Sequence, residues 1–160
     1  MSKVKPGAKD TFNYKVVVEN RKARFNYHIL DTFEAGLVLQ GWEVKSIRAG
    51  QANLSEGYIG PNHGELWLLG AHISPYKFTR QTELNPLRPR KLLLHKKEID
   101  KLSGRVREKG LTIVPLKLYL KNGLIKIEIG LAKGKLAPDK RDTIKERDAK
   151  RELERAFRGK

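Results

Sequence analysis

The chain has 160 residues, with 34 lysines and arginines against 18 aspartates and glutamates, a formal net charge of +16, and no cysteine. That length allows one domain with a real core plus appended tails, and the lack of cysteine removes disulfides, thiolate metal sites and thiol nucleophiles together. No apolar run approaches the roughly 20 residues of a membrane span, and the opening residues lack a signal-peptide apolar stretch, which points to the cytoplasm.

The charge is blocked rather than dispersed. A net −3 over residues 25–76 lies between +5 over residues 1–24 and +7 over residues 77–109, and residues 133–160 carry a further +5. A merely soluble protein intersperses both signs, so this arrangement describes a globular body with a polyanion-facing arm, loop and tail. A membrane-surface role needs an amphipathic helix with a broad aromatic or leucine face, and the sequence contains none.

Residues 1–19 hold Pro6, Gly7 and scattered lysines around one short apolar run, Val16-Val17-Val18, and read as a flexible arm or at most a marginal strand. Aromatic and branched residues from Phe25 to Leu39 predict a strand. Its aromatics Phe25, Tyr27 and Phe33 suit core positions, with a base-stacking platform as the other reading. Gln40 to Ala49 predicts a short helix, with Val44 and Ile47 three apart and Gly50 as its stop. Asn53 to Ile59 and Leu66 to Leu69 predict a hairpin looped by Gly60-Pro61-Asn62-His63-Gly64, and Ala71 to Tyr76 a further short strand. Pro86 and Pro89 make Lys77 to Lys91 a long exposed loop.

From Lys96 to Lys109, the spacing of Ile99, Leu102 and Val106 predicts an amphipathic helix that Gly110 terminates. Leu116, Leu118 and Leu120 alternate with polar or aromatic residues, Asn122-Gly123 turns the chain, and Ile125, Ile127, Ile129 and Leu131 alternate on the way back. This is a hairpin with one buried face, in which Pro115 marks an edge or a bulge. Such short antiparallel strands must bury one face each and manage their edges, and closing into a barrel does both. The expected fold is mainly β, a small antiparallel barrel of oligonucleotide-binding type over residues 20–132 with two to three helices, no repeat and no second domain.

Residues 133–160 form a basic tail in which Arg147, Arg151, Arg155 and Arg158 share one helical face. Like charges at this spacing destabilise an isolated helix by about 0.2–0.5 kcal/mol per pair. The apolar stripe of Ala149, Leu153, Ala156 and Phe157 is narrow, and Ile144 falls on the opposite side. The tail is therefore expected to be disordered when free and to become helical where phosphates neutralise the arginines; an ordinary solvated charged helix is the other reading.

Chemistry finds little support. His28, His63, His72 and His95 lack ligand spacing, so no metal site is expected. The stretch from Gly130 to Leu136 is one residue short of a phosphate-binding loop and has Leu136 where a magnesium-holding Ser or Thr belongs. Lys133 and Lys135 there suit a flexible clamp on phosphate. No serine lies in a nucleophile elbow, and Glu34, Glu43 and Glu56 form no pair by spacing. The chain reads as a binding protein without cofactor, metal or catalytic cluster. Composition alone leaves a ribosomal or general RNA-binding barrel protein as the alternative to anything more specific.

Six separated words sharpen this: Asn20-Arg-Lys-Ala-Arg, Phe33-Glu-Ala-Gly-Leu, Gly41-Trp-Glu-Val-Lys-Ser-Ile-Arg-Ala-Gly50, Arg90-Lys-Leu-Leu-Leu-His95, Gly130-Leu-Ala-Lys-Gly-Lys135 and Asp139-Lys-Arg. In this order and spacing the chain resembles the small protein B family from about Asn20 to the C-terminus. The resemblance implies a barrel that grips the tRNA-like domain of transfer-messenger RNA (tmRNA), stands in for the missing anticodon arm, and delivers the RNA to stalled ribosomes for trans-translation. It implies RNA contacts by Asn20, Arg21, Lys22, Arg24, Glu34, Lys91, Leu93, His95, Lys133, Gly134 and Lys135, with Gly134 belonging to the part that acts at the ribosomal decoding site. It implies that Asp139, Lys140, Arg141, Ile144, Lys145, Arg147, Arg151, Arg155 and Phe157 act at the decoding site, with the tail a helix along 16S rRNA in the empty messenger channel. Elongation factor Tu and alanyl-tRNA synthetase are implied as partners through tmRNA. Pro138 and Leu136 depart from relatives that carry histidine or tyrosine and a second lysine there.

Overall fold

The computed structural model describes residues 14–78, 84–108, 110–135 and 137–158. Strand β1 (Tyr14–Glu19) leads into a one-turn helix α1 (Arg21–Asn26), capped by the Asn20 side chain, and then into the long strand β2 (Tyr27–Leu37). Helix α2 (Gly41–Arg48) follows, with the Glu43 carboxylate accepting a 2.8 Å bond from the Gln40 N–H at its start and Gly50 at φ +73° just past its end. The short strands β3 (Ala52–Asn53), β4 (Tyr58–Asn62), β5 (Glu65–Leu69), β6 (His72–Ile73) and β7 (Arg90–Leu93) precede helix α3 (Lys96–Val106). Two eleven-residue strands, β8 (Leu111–Lys121) and β9 (Leu124–Gly134), and a 22-residue helix α4 (Ala137–Arg158) complete the chain.

All ladders are antiparallel, and six strands form a ring in the order β8, β4, β5, β7, β2, β9 and back to β8. Pairing is thin at three junctions: β4 meets β8 at Ile59↔Ile113, β5 meets β7 at Trp67↔Lys91 and Leu68↔Arg90, and β2 meets β7 at Gly36↔Leu93 and Leu37↔Leu92. Strand β8 is shared along its length, pairing β4 near its start and β1 over Lys117 to Lys121. Inside the ring lie Ile59, Leu66, Leu68, Leu92, Ile113, Leu118, Ile127, Ile129 and Leu131, with Trp42 and Ile47 from α2 and Leu102 from α3 completing the core. Leu102 is fully buried, worth about 1.5–3 kcal/mol, and Ile99 and Val106 flank it as their spacing requires.

The small antiparallel barrel read from the sequence is the fold, with several local corrections. Three helices lie on the body. Phe25, expected in a strand, belongs to α1, because the Asn20 cap nucleates a turn before the strand begins. Residues 14–19 form a strand, the second of the two readings for residues 1–19, while residues 1–13 lie outside the described residues. Gly60, Pro61 and Asn62, expected in a loop, extend β4; the turn is His63-Gly64 alone, at φ 51° and 75°. Proline is tolerated because only Ile59 of β4 pairs with β8, so Pro61 has one ladder partner, Leu66. Only His72 and Ile73 of the expected 71–76 strand are paired, and the segment from Lys77 carries no regular structure until Arg90, with residues 79–83 outside the described ones. Pro115 marks the bulge: register shifts between Pro115 and Lys117, so Leu116 joins Val114, Ala132 and Ala23 under α1, whereas Leu118 faces the barrel interior. Leu116 and Leu118, expected on one face, are thereby separated.

Candidate nucleic-acid interface

Two groups of the sequence-identified residues gather on the barrel, at different ends of the β2–β9 ladder. The first is built by α1. Asn20 is 5 % exposed: its Nδ2 donates to the carbonyls of Pro115 (2.8 Å) and Leu54 (3.3 Å), and its Oδ1 accepts from the Ala23 N–H at 3.3 Å. Asn20 is therefore a bracket between α1, β8 and the segment after β3. With Ala23 buried against Val114, Leu116 and Ala132, the helix turns Arg21, Lys22 and Arg24 outward. Lys22 meets Glu56 at 3.0 Å, an exposed pair of small energetic weight.

The end of β9 lies beside them, through Tyr27↔Gly134, His28↔Lys133 and a 2.8 Å bond from the Lys135 N–H to the Asn26 carbonyl. The Gly130–Gly134 stretch is thus ladder, with Lys135 bonded just past its end, where its composition suggests a flexible phosphate clamp. A Cβ on Gly130 would lie 3.0 Å from Ile29 and 3.1 Å from Leu116, so that glycine serves close approach, whereas Gly134 borders open space.

The second group surrounds a cleft of about 490 Å³ lined by Glu34, Lys91, Leu93, His95 and Lys126 among others. Tyr119, buried beneath Tyr14 with ring centroids 5.1 Å apart, donates its hydroxyl to Glu34 Oε2 at 2.5 Å, and Lys121 Nζ lies 3.4 Å from the same oxygen. The Tyr119 hydrogen bond holds the Glu34 carboxyl below the ordinary carboxylate range, overcoming a smaller effect of burial, and Lys121 adds to it. Burial, then the same bond, pushes the Tyr119 phenol far up, so it stays a donor. Lys91 pairs with Glu65 at 2.9 Å, Leu93 is 51 % exposed, and His95 sits exposed at the start of α3. With Glu34, Glu65 and Glu98 facing Lys91 and Lys126, the cleft has mixed charge. It suits recognition of polar edges, including 2′-hydroxyls that donate to a carboxylate, more than bulk phosphate attraction.

Seven residues separate Tyr27 from Glu34 along β2, roughly 20–25 Å at strand rise. The first patch is cationic and the second polar and leucine-bearing. Of the aromatics read as core or platform, Phe33 packs against the main core under Lys101 (5.5 Å from the ring), Tyr27 packs on the smaller cluster, and Phe25 lies under Arg147 at 5.3 Å. In the tail, the described side chains of Arg141, Ile144, Lys145, Arg147, Arg151 and Arg155 are exposed on α4; those of Asp139, Lys140 and Phe157 lie outside the described residues.

Sequence reading missed the ion cluster behind the second patch. Glu43 and Arg90 are fully buried; Arg90 Nε donates to Glu43 Oε2 at 2.5 Å, while its other nitrogens donate to the carbonyls of Ala71 (2.8 Å) and Pro86 (3.0 Å). Arg88 binds the other Glu43 oxygen. Burial alone raises the Glu43 carboxyl, but bonds from Arg88, the Gln40 N–H and Arg90 outweigh it and hold the group below the carboxylate range. The cluster fixes β7, which carries Lys91 and Leu93, to α2. The available signal was an acidic residue between Trp42 and Val44 on a helix whose neighbours are apolar.

Among the described residues no group of three or more His, Asp or Glu could hold a metal ion, and no helix is long and apolar enough to cross a membrane. Residues 17–159 match the family described as SmpB protein. The chain belongs to the SmpB family. It is 59% identical over 145 residues to the SsrA-binding protein of Thermosynechococcus vestitus, covering 90% of this chain and 95% of that relative, and 56% identical over 144 residues to that of Bacillus cereus, covering 90% and 93%. A solved structure described as "tmRNA-SmpB: a journey to the center of the bacterial ribosome" superposes with a TM-score of 0.65 at 46% identity, over 79% of this chain and 94% of that one. The family match begins within β1 and runs through α4, so it includes both patches and the tail.

Proposed function

We propose that this SmpB-family protein binds tmRNA and brings it to stalled ribosomes for trans-translation. The observation that carries the reading is near-full-length identity above one half to SsrA-binding proteins, in a chain whose barrel presents a cationic and a polar patch along one ladder. The work is binding, in the cytoplasm, with no catalytic group required; the RNA is brought as an alanylated complex with elongation factor Tu, its alanine supplied by alanyl-tRNA synthetase.

Within this reading the labour divides. Glu34, Lys91, Leu93 and His95 contact the tRNA-like domain, with the Glu34 carboxylate as an acceptor held open by Tyr119. Arg21, Lys22, Arg24, Lys133, Gly134 and Lys135 follow its backbone. The tail, with Asp139, Lys140, Arg141, Ile144, Lys145, Arg147, Arg151, Arg155 and Phe157, engages 16S rRNA at the decoding centre and in the empty messenger channel. Its exposed arginine face gains most where phosphate lies along it. Truncation before Asp139 is expected to leave affinity for an isolated tmRNA transcript nearly intact while abolishing peptide tagging on stalled ribosomes in a reconstituted translation system. Loss of transcript binding would refute the division, and recovery of bulk ribosomal RNA without tmRNA enrichment in a pull-down would favour a general RNA-binding barrel.

A further inference from the structure

A second depression adjoins the Glu34 cleft. About 400 Å³ in volume, it is walled by Leu37, Leu39, Val44, Leu93, Leu124 and Ile125. Leu124 and Leu93 are 60 % and 51 % exposed, so much of the wall is apolar surface left in water. Its rim carries Arg48 and Lys126, and among the described residues no carboxylate lines it. Contiguous apolar surface with a polar rim marks a binding site. The wall is also held in place, because Arg48 Nη2 donates to the Gly123 carbonyl at 3.2 Å and so ties the turn that carries Leu124 to α2. Both residues of that turn, Asn122 (φ 52°) and Gly123 (φ 78°), sit in the left-handed conformation of a tight hairpin, which fixes the direction in which β9 departs.

We propose that this groove takes an unstacked base of the bound RNA. Two features select that occupant. The groove is continuous with the cleft, since Gly36, Leu93 and Lys126 line both, and an RNA segment at Glu34 and His95 therefore reaches it without leaving the surface. Arg48 and Lys126, the latter shared with the Glu34 cleft, suit the phosphates on either side of a splayed base, while the leucine walls suit its faces. The proposal rests on the reading that the Glu34 cleft binds RNA.

The test uses the full chain and a transcript of the tRNA-like domain. Leu124→Asp places a charge in the groove from an exposed position beside the turn, and Leu124→Ala keeps the site apolar while removing one of its six apolar walls; thermal melting checks each fold. Wild type is expected to protect one otherwise reactive unpaired base from chemical probing. Leu124→Asp should lose that protection and bind roughly tenfold more weakly, a loss on the order of removing one buried apolar side chain, with Leu124→Ala in between. Failure of wild type to bind the transcript would overturn the functional reading itself. Binding by wild type that Glu34→Gln weakens, with affinity and base protection unchanged in both Leu124 variants, would overturn the groove proposal and leave the function standing. Self-association of wild type that Leu124→Asp abolishes, with RNA affinity unchanged, would assign the groove to a second copy and equally overturn it.

Discussion

Replacing Glu43 by alanine strands a guanidinium that has no exposure to water. Arg90 would keep its bonds to the Ala71 and Pro86 carbonyls but lose the carboxylate that faces it. Breaking a buried pair in this way costs about 3–5 kcal/mol. At about 2–4 °C per kcal/mol for a chain of this size, the thermal midpoint should fall by about 6–20 °C. Circular dichroism melts with urea titration at the same pH measure both figures. Glu43→Gln keeps an acceptor while losing the charge and should fall between. The Glu43→Met/Arg90→Met pair removes both charges together, leaving the two carbonyls without their donor, and should cost less than the sum of its single variants. The pH dependence has a fixed sign: because the folded Glu43 carboxyl is depressed, its contribution is present above the unfolded carboxylate range and is lost as pH falls through the folded value. Glu43→Gln should therefore flatten part of the acid limb of stability. A loss below about 1 kcal/mol for Glu43→Ala, or strict additivity in the cycle, would refute the account of Arg90 as a charge that depends on Glu43.

Tyr119→Phe removes the donor that most lowers Glu34, so the Glu34 carboxyl should rise toward its ordinary range. Acid loss of RNA affinity should then begin at higher pH than in wild type, and a carboxyl-detected NMR titration of Glu34 should move the same way; an unmoved titration would contradict the role given to the hydroxyl. Asn20→Ala should lower stability by about 1–3 kcal/mol, through the lost cap and the orphaned Pro115 and Leu54 carbonyls. Its RNA affinity at a temperature where it is folded should change little, and a large affinity loss in a stable variant would return Asn20 to the interface.

The elements that could be read from sequence are those whose signal is local. The β8–β9 hairpin is set by alternation over Ile125 to Leu131 and by an Asn-Gly turn, and α3 by the spacing of Ile99, Leu102 and Val106. Helix α1 was hidden because Phe25 and Tyr27 favour strand, while the deciding interaction is a single Asn20 cap supported by carbonyls 34 and 95 residues away. The Pro115 bulge was anticipated, but its consequence for Leu116 depends on register, which only the partner strands fix. The candidate site behaves likewise: the motif words supplied its residues, but their division into two patches follows from β2 running between them. Glu43 and Arg90 are 47 positions apart, and no periodicity links a helix residue to a strand residue across a barrel wall.

The pairing of β8 also sets an order of events during synthesis. Strand β1 finds its ladder partner in β8, β2 finds its long one in β9, and β4 closes its seam on β8, so most of the sheet's first half waits for its last hairpin. A nascent chain can form the local β4–β5 hairpin early, but its ring cannot close until residue 134 has been made. A polypeptide released before β8 leaves β1 as an unpaired edge, and one released before β9 leaves β2 with only its two-residue seam on β7. This barrel is therefore acquired nearly at once, near the end of its own translation.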